Sequence, residues 1–141
     1  MAGPTKGGDL HALDFRLSWG ECDPAGIIYY ATYLEWAERV HSEWWHLNGF
    51  SLAELSGRVG SSFVTRHVSC DYLRAPRAMD QLRCSMRLGR LGSSSFAMAF
   101  SFTDTVAAVE VARLDMTCVF VTGDLIATPV PDRVRDLLGA S

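Results

Sequence analysis

The stretch that decides the fold runs from Gly20 to Tyr30 and reads Gly-Glu-Cys-Asp-Pro-Ala-Gly-Ile-Ile-Tyr-Tyr. Its Pro and Gly are turn residues, and they set one carboxylate, Asp23, in a tight loop. A strand-like alternation precedes the loop and an amphipathic helix pattern follows it. A carboxylate next to the positive end of a helix can attack a carbonyl that the helix polarises, or activate water against it. Asp23 is therefore the first candidate for chemistry.

Length and composition indicate one globular domain. The chain has 141 residues, of which 48% are hydrophobic and 21% charged, enough for a single core and too few for two domains. We expect a disordered tail at 1–10 and one domain at 11–141. The polar, Gly-rich start lacks the apolar stretch of a signal peptide, and no apolar run approaches the ~20 residues of a membrane span, so we expect a cytoplasmic protein.

The pattern after the loop predicts one long helix and then a sheet. We expect the helix at about Tyr30–Asn48, with Gly49 as its C-terminal cap. A short helical turn should follow at Ser51–Ser56, and a last helix at Asp132–Leu138. Strict alternation predicts antiparallel strands with one buried face; with the first strand at His11–Ser18, they are expected at 63–73, 82–88, 96–102 and 114–120. On the helical wheel the apolar half comprises Tyr33, Leu34, Trp36, Ala37, Val40, His41, Trp44, Trp45, Leu47 and Asn48.

Charge and cysteine content limit the classes of function. The net charge is −3, which argues against a nucleic-acid partner. The four cysteines form no C-x-x-C pair, so neither zinc nor dithiol redox chemistry is indicated. Arginine nonetheless outnumbers acids between Arg58 and Arg90, which is typical either of a site for an anionic partner or of a solvated sheet face. The excess of arginine over lysine hints at a GC-rich bacterial genome.

Beyond Gly20–Tyr30, three segments carry a resemblance: Tyr33-Leu34-Glu35-Trp36, Phe63-Val64-Thr65-Arg66-His67 and Asp71-Tyr72-Leu73-Arg74. With the turn motif they resemble the hotdog-fold thioesterases, above all the 4-hydroxybenzoyl-CoA thioesterase family and its short-chain acyl-CoA thioesterase relatives. The resemblance extends from about Leu13 to Thr122. It implies an α+β hotdog fold, in which a long central helix is wrapped by a curved antiparallel sheet of about five strands. It also implies a homodimer or homotetramer with active sites between subunits.

The resemblance assigns roles to individual residues. Asp23 matches the catalytic carboxylate, and Tyr30 the residue whose backbone N–H binds the thioester oxygen. Ser61 matches a small hydroxyl residue that lines the site from the other subunit, and Glu38 a carboxylate near the acyl pocket. The amides from Tyr29 to Ala31 are expected to hold the oxyanion. Tyr29 and Ala31 are also expected to contact the substrate. No metal and no cofactor is expected, apart from the CoA or phosphopantetheine of the substrate.

Several alternatives stay open at this stage. The family's basic cluster for CoA phosphates is reduced to Arg90 in the segment Arg90–Phe96, so an acidic acyl carrier protein competes with CoA as the carrier. Arg74, Arg77, Arg87 and Arg90 are the weak candidates for carrier binding. The carboxylate mechanism can be nucleophilic or general-base. Other functions are a non-catalytic accessory module of a biosynthetic synthase and a hotdog dehydratase, the latter using His41 or His67. Glu21 is either a support for Asp23 or an exposed loop acid.

Overall fold

A computed structural model describes residues 8–139 of the chain. Residues 1–7 of the expected tail lie outside the described range, whereas Leu10 already donates a backbone hydrogen bond to the Met86 carbonyl at 2.7 Å. The strands are β1 (His11–Arg16), β2 (Ser62–Tyr72), β3 (Gln81–Leu91), β4 (Ser95–Asp104) and β5 (Val109–Val121); the α-helices are α1 (Thr32–Leu47), α2 (Leu55–Val59) and α3 (Asp132–Gly139). Short 3-10 turns occupy Trp19–Glu21 and Leu52–Glu54.

The five strands form one antiparallel sheet in the order β1-β3-β4-β5-β2. The predicted five-stranded antiparallel α+β architecture is confirmed. Alternation in β3 and β4 produces one buried face, since Leu82, Cys84 and Met86 are fully buried between exposed or half-buried neighbours. β2 lies at one edge and pairs with β5 alone among the described strands. Its register shifts between Thr65 and His67, at a bulge that contains Arg66.

Helix α1 lies on the buried face of the sheet. It has 16 residues and begins at Thr32, two positions later than the sequence indicates. Gly49 ends it as predicted: its φ of 85° allows its N–H to reach the His46 carbonyl, while the Phe50 N–H reaches that of Trp45, a Schellman cap. Within the described residues no helix is long and apolar enough to cross a bilayer.

The apolar face of α1 is narrower than the wheel predicts. Leu34 and Leu47 are 41% and 64% exposed, although their angular positions match those of buried neighbours. Both lie at an end of the helix, in the first turn and at the last residue. A wheel describes direction around the axis and ignores where along the axis the sheet stops covering the helix. Conversely, Thr32 is buried although it is not among the residues of the predicted apolar half.

Aromatic rings join α1 to the sheet. Trp36 stacks on Phe15 of β1 at 4.5 Å between centroids, and Trp45 stacks on Phe63 of β2 at 5.5 Å. All three helix tryptophans are almost completely buried, which confirms them as core residues. Such rings bury large areas and favour offset or edge-on pairing, so they dominate the packing energy of this helix.

His41 is a buried polar residue in this aromatic core. Its Nε2 accepts a hydrogen bond from the Trp45 indole N–H at 3.0 Å. Burial lowers the pKa of His41 from 6.5 to about 4, because desolvation disfavours the imidazolium. The side chain is thus neutral at pH 7 and serves as an acceptor within the core.

This burial predicts a pH-dependent stability. Between pH 6.5 and 4 the unfolded chain binds a proton at His41 that the folded chain does not bind, so stability falls as the pH is lowered. The contribution lost is up to about 3 kcal/mol. Urea unfolding at several pH values should show that the stability difference between wild type and His41→Gln changes over this window. The exposed His46→Gln control should run parallel to wild type, and a His41→Gln curve that also runs parallel contradicts the assignment.

Candidate active site

A tight hairpin holds Asp23. The Asp23 N–H donates to the Ile27 carbonyl, and the Gly26 N–H donates to the Asp23 carbonyl, each at 2.9 Å. Gly26 has a φ of 81°, a conformation that costs glycine little and other residues more. Asp23 Oδ1 accepts the Ala25 N–H at 2.8 Å. Oδ2 receives no hydrogen bond from residues 8–139, so one oxygen of the carboxylate supports the loop and the other is available.

Glu21 connects this hairpin to helix α1. Its carboxylate accepts the Ser18 N–H at 2.9 Å and the Trp36 indole N–H at 3.1 Å. Its backbone carbonyl accepts the Tyr29 N–H at 2.9 Å and the Thr32 hydroxyl at 3.1 Å. Both sequence interpretations of Glu21 are therefore incomplete, since this half-buried acid fixes the loop against the first two turns of the helix.

The start of α1 exposes free amides. Ala31 occupies the N-cap position and provides no side-chain cap. The N–H groups of Tyr30, Ala31 and Tyr33 have no acceptor among the described residues. Such unpaired amides and the helix dipole together favour negative charge at this end. Tyr29, in contrast, already donates its N–H to Glu21, so the expectation that it supplies a free oxyanion amide is wrong.

Asp23 and the start of the helix share a cleft of about 390 Å³. Its walls are aromatic and aliphatic, with Asp23 and Arg74 as the charged members. The Tyr72 hydroxyl donates a hydrogen bond to the Tyr30 carbonyl at 3.3 Å. The ring centroids of Tyr33 and Tyr72 lie 5.6 Å apart. The lining residues are Asp23, Ile27, Ile28, Tyr30, Tyr33, Tyr72, Leu73, Arg74 and Ala75.

The Tyr33 hydroxyl is buried beside this cleft without a hydrogen-bond partner among the described residues. Buried hydroxyls are nearly always paired, which sets this one apart. Burial also raises the pKa of Tyr33, and the phenol stays neutral at physiological pH. Its O–H therefore remains a hydrogen-bond donor.

Asp23 also borders a second depression, of about 330 Å³, on its other side. Glu21, Cys22, Tyr29, Thr32 and Glu35 contribute to its lining. Burial, and then the charges of Asp23 and Glu21, raise the pKa of the Cys22 thiol. A thiol that holds its proton is a poor nucleophile, so Cys22 is a weak candidate for chemistry.

Two of the predicted site residues lie away from Asp23 in the same protomer. Ser61 is buried just before β2, roughly 35 Å along that strand from the Tyr72 end. Glu38 is exposed on α1, about 12 Å along the axis from Tyr30. Neither lines the cleft, so any contact with its substrate requires a second subunit or an extended ligand.

The arginines do not form one cluster. Arg74 lines the Asp23 cleft, and Arg77 pairs through its backbone with Ile27 in an isolated bridge. Arg87 lies in a different depression, whose lining also includes Glu110, Arg113 and Asp115, and Arg90 is exposed further along β3. Among the described residues there is no group of three or more His, Cys, Asp or Glu side chains able to hold a metal ion.

Sequence reasoning named Arg74 and Arg77 but missed the apolar residues beside them, which form the opposite wall of the cleft. Residues 73–77 follow β2, which ends at Tyr72, and contact the loop through the Ile28 N–H, which donates to the Pro76 carbonyl at 2.8 Å. Tyr72, Leu73 and Ala75 thereby face Asp23 across the cleft. The available signal was the apolar Tyr72-Leu73 pair at a strand end just before Pro76. Alternation alone does not predict which way either of these two side chains points.

The chain belongs to the thioesterase-like superfamily, whose family model matches residues 17–138. The match covers the Asp23 hairpin, α1 and all strands after β1. The class of protein is therefore a thioesterase of the hotdog fold. The search of curated proteins found no match.

Solved structures support the same fold. A 1,4-dihydroxy-2-naphthoyl-CoA thioesterase from Synechocystis superposes with a TM-score of 0.83 at 15% identity, over 92% of this chain and 95% of the other. The 4-hydroxybenzoyl-CoA thioesterase from Pseudomonas sp. strain CBS-3 gives 0.78 at 22% identity, over 89% and 96%. A variant of 4-hydroxybenzoyl-CoA thioesterase with Asn for Asp, complexed with 4-hydroxybenzoyl-CoA, gives 0.80 at 21% identity, over 90% and 96%.

The Glu21 contacts predict a specific loss of stability. Glu21→Ala leaves the buried Trp36 indole N–H without an acceptor, and the free energy of unfolding should fall by about 1–3 kcal/mol. Glu21→Gln retains an acceptor oxygen and should recover part of the loss. Urea unfolding gives the comparison, with the exposed Glu54→Ala as the control. If Glu21→Ala is as stable as wild type, the proposed tie between loop and helix is wrong.

Proposed function

We propose that the protein hydrolyses an acyl thioester of CoA or of an acyl carrier protein to a carboxylic acid and a free thiol. Asp23 acts as the nucleophile or general base, and the Tyr30 N–H is the principal donor to the oxyanion. One observation carries the proposal. The unpaired Asp23 Oδ2 and the unpaired amide of Tyr30 belong to residues that line the same cleft.

The chemistry requires little more than these groups. The leaving thiolate of a thioester has a conjugate-acid pKa of about 8.5, near that of free cysteine, so no strong general acid is needed. Asp23 either attacks the carbonyl carbon, expels the thiolate and forms an anhydride that water cleaves, or takes a proton from the attacking water. One oxyanion donor lowers the barrier by about 3–4 kcal/mol. The route uses the chain's own groups, with no metal or further cofactor.

The lining of the cleft supports an apolar or aromatic acyl group. Tyr30, Tyr33 and Tyr72 surround the space next to Asp23, and aromatic rings favour stacking on other rings. Similar structures belong to thioesterases for 4-hydroxybenzoyl-CoA and 1,4-dihydroxy-2-naphthoyl-CoA, which have aromatic acyl groups. The Ala31 amide and the Tyr29 side chain border the reacting group, and Glu38 is kept as a candidate contact for the distal end of the acyl group.

A homodimer, alone or doubled into a homotetramer, fits the free edge of β2. An edge strand with unpaired backbone groups is a ready site for pairing with a second strand. Arg66 and Asp71 lie on this strand without an ion-pair partner among residues 8–139. An antiparallel pair of β2 strands would bring each Arg66 towards the other subunit's Asp71. It would also carry the partner's Ser61 to the Tyr72 end, beside the cleft.

The arrangement of α1 supports the finer description of the fold. Its aromatic residues contact β1 through Phe15, β4 through Phe102 and β2 through Phe63, which span both edges and the middle of the sheet. We therefore take α1 as the central helix around which the sheet curves.

The dehydratase alternative has less support. It needs an imidazole facing the acid, whereas His41 is bonded to Trp45 in the core and His67 is exposed on β2. Neither belongs to the lining of the Asp23 cleft. Only an assay of thioester turnover distinguishes an enzyme from a non-catalytic accessory module.

Asp23→Asn gives the direct test. Asn has nearly the same shape and can still accept the Ala25 N–H, so the loop should persist while the ionised oxygen is lost. Thioester hydrolysis, followed by release of free thiol, should fall at least about 10³-fold in kcat with an unchanged melting temperature. The exposed Asp136→Asn is the matched control. If Asp23→Asn retains activity, Asp23 has no role in the mechanism.

Arg74 is tested by changing the carrier. If its guanidinium binds a carrier phosphate, Arg74→Ala should raise KM for an acyl-CoA by about tenfold. A change of this size corresponds to the loss of one hydrogen bond between charged groups. The KM for the same acyl group on N-acetylcysteamine, which has no phosphate, should not change. Arg113→Ala serves as the control from the other depression. An equal effect on both substrates means that Arg74 contacts the acyl half instead.

A further inference from the structure

Tyr33, in the first turn of α1, is completely buried at the edge of the Asp23 cleft. Its ring packs edge-on against Phe102 of β4, with 4.8 Å between the centroids. It also lies tilted against the ring of Tyr72 at the end of β2, at 5.6 Å. Both are favoured geometries for aromatic pairs. The two neighbours therefore fix the direction in which the Tyr33 hydroxyl points.

The Tyr33 hydroxyl differs from the other buried polar groups of α1. The Thr32 hydroxyl donates to the Glu21 carbonyl at 3.1 Å. The His41 ring accepts a hydrogen bond from Trp45 at 3.0 Å. Of the fully buried side-chain nitrogen and oxygen atoms in the described part of the chain, the Tyr33 hydroxyl is the one without a partner. An unpaired buried hydroxyl destabilises the fold, so Tyr33 carries a cost that a phenylalanine there would avoid.

The position of Tyr33 relates its hydroxyl to the reacting groups. Tyr33 lines the same cleft as Asp23 and Tyr30. It follows Tyr30 by three residues, which is about one turn of a helix. Side chains of a helix lean towards its N-terminus, where the Tyr30 amide lies. The phenol therefore borders the space open to the acyl group of a thioester whose carbonyl oxygen lies at the Tyr30 N–H.

The interior of the cleft offers few other polar side-chain groups. The hydroxyl of Tyr72 is already bonded to the Tyr30 carbonyl at 3.3 Å. Ligand pockets are typically apolar, and a small number of placed polar groups orient the ligand within them. The Tyr33 hydroxyl occupies the place of such a group. The aliphatic part of the lining consists of Ile27, Ile28, Leu73 and Ala75.

The protonation state of Tyr33 defines what it can bind. Burial raises the pKa of the phenol, because desolvation disfavours the phenolate. The hydroxyl thus keeps its proton at physiological pH and donates to an oxygen acceptor. Since the protein has already desolvated this group, a bond to a ligand removes no further water from it. A site built to bond a substrate oxygen discriminates strongly against the analogue that lacks it.

We propose that Tyr33 is a specificity-determining residue, whose hydroxyl donates a hydrogen bond to an oxygen substituent on the ring of the acyl group. The substrate is then an oxygen-substituted aromatic acyl thioester, and the same acyl group without that oxygen is a poor substrate. This role rests on the proposed function, since it requires the acyl group to enter the Asp23 cleft. Tyr33 takes no part in breaking the thioester bond.

Thermal stability separates a substrate contact from a structural role. Tyr33→Phe removes a hydroxyl that has no partner among residues 8–139, so the melting temperature should stay the same or rise. Thr32→Val is the matched control, because it removes the neighbouring buried hydroxyl that is bonded to Glu21, and its melting temperature should fall. If Tyr33→Phe lowers the melting temperature as much as Thr32→Val does, the Tyr33 hydroxyl has a structural partner and the proposal is wrong.

Substrate preference gives the direct test. The substrates are benzoyl thioesters of N-acetylcysteamine that carry a hydroxyl, or a methyl of similar size, at ring position 2, 3 or 4. At one position wild type should prefer the hydroxyl in kcat/KM, and Tyr33→Phe should lower this preference about tenfold or more. Tyr72→Phe removes a hydroxyl that is bonded to Tyr30 and should keep the wild-type preference. A preference that Tyr33→Phe leaves unaltered at every position overturns the proposal.

Binding separates this role from catalysis. Thioether analogues, with a methylene group between the carbonyl and the sulfur, have no thioester bond to hydrolyse. Calorimetric titration with the hydroxyl and methyl analogues should show the same loss of preference in Tyr33→Phe. If wild type prefers the hydroxyl analogue but hydrolyses none of the thioesters, the proposed function fails and the role of Tyr33 stands. If wild type binds the two analogues equally at every ring position, the role of Tyr33 fails, whatever the rate of hydrolysis.

Discussion

The site depends on the contacts made by Glu21. Its carboxylate and carbonyl bind four groups: two belong to helix α1, one to Tyr29 and one to Ser18. Because hydrogen bonds to a partly buried carboxylate have definite lengths and directions, Glu21 sets both the distance and the orientation between the acid and the free amides.

Helix α1 lacks a side-chain cap at its N-terminal end. A Ser, Thr or Asp at the N-cap would satisfy one of the first amides and stabilise the helix by about 1 kcal/mol. Ala31 occupies that position and offers nothing. The amides of Tyr30, Ala31 and Tyr33 therefore keep their capacity for an outside acceptor. The stability given up here is supplied further along α1, where Trp36, Trp44 and Trp45 are buried.

Much of the fold follows from periodicity in the sequence. Alternation of Phe96, Met98, Phe100 and Phe102 predicts β4 within two residues at each end, because one buried sheet face requires period two. The Asp-Pro-Ala-Gly turn likewise identifies the position of Asp23. The Glu21 contacts and the Tyr72–Ala75 wall could not be predicted, since both depend on how distant segments meet. Helix α1 begins two residues after the predicted start for a related reason. The Tyr29 N–H donates to the Glu21 carbonyl, and a turn in which the Thr32 N–H donates to the Tyr29 carbonyl precedes the helix.

Asp23 stands between two depressions, one aromatic and one more polar. Under the proposed function, a carboxylate in this position would let the acyl half and the thiol half of the substrate occupy different depressions. Each product would then have its own route to solvent, and neither would have to wait for the other to leave.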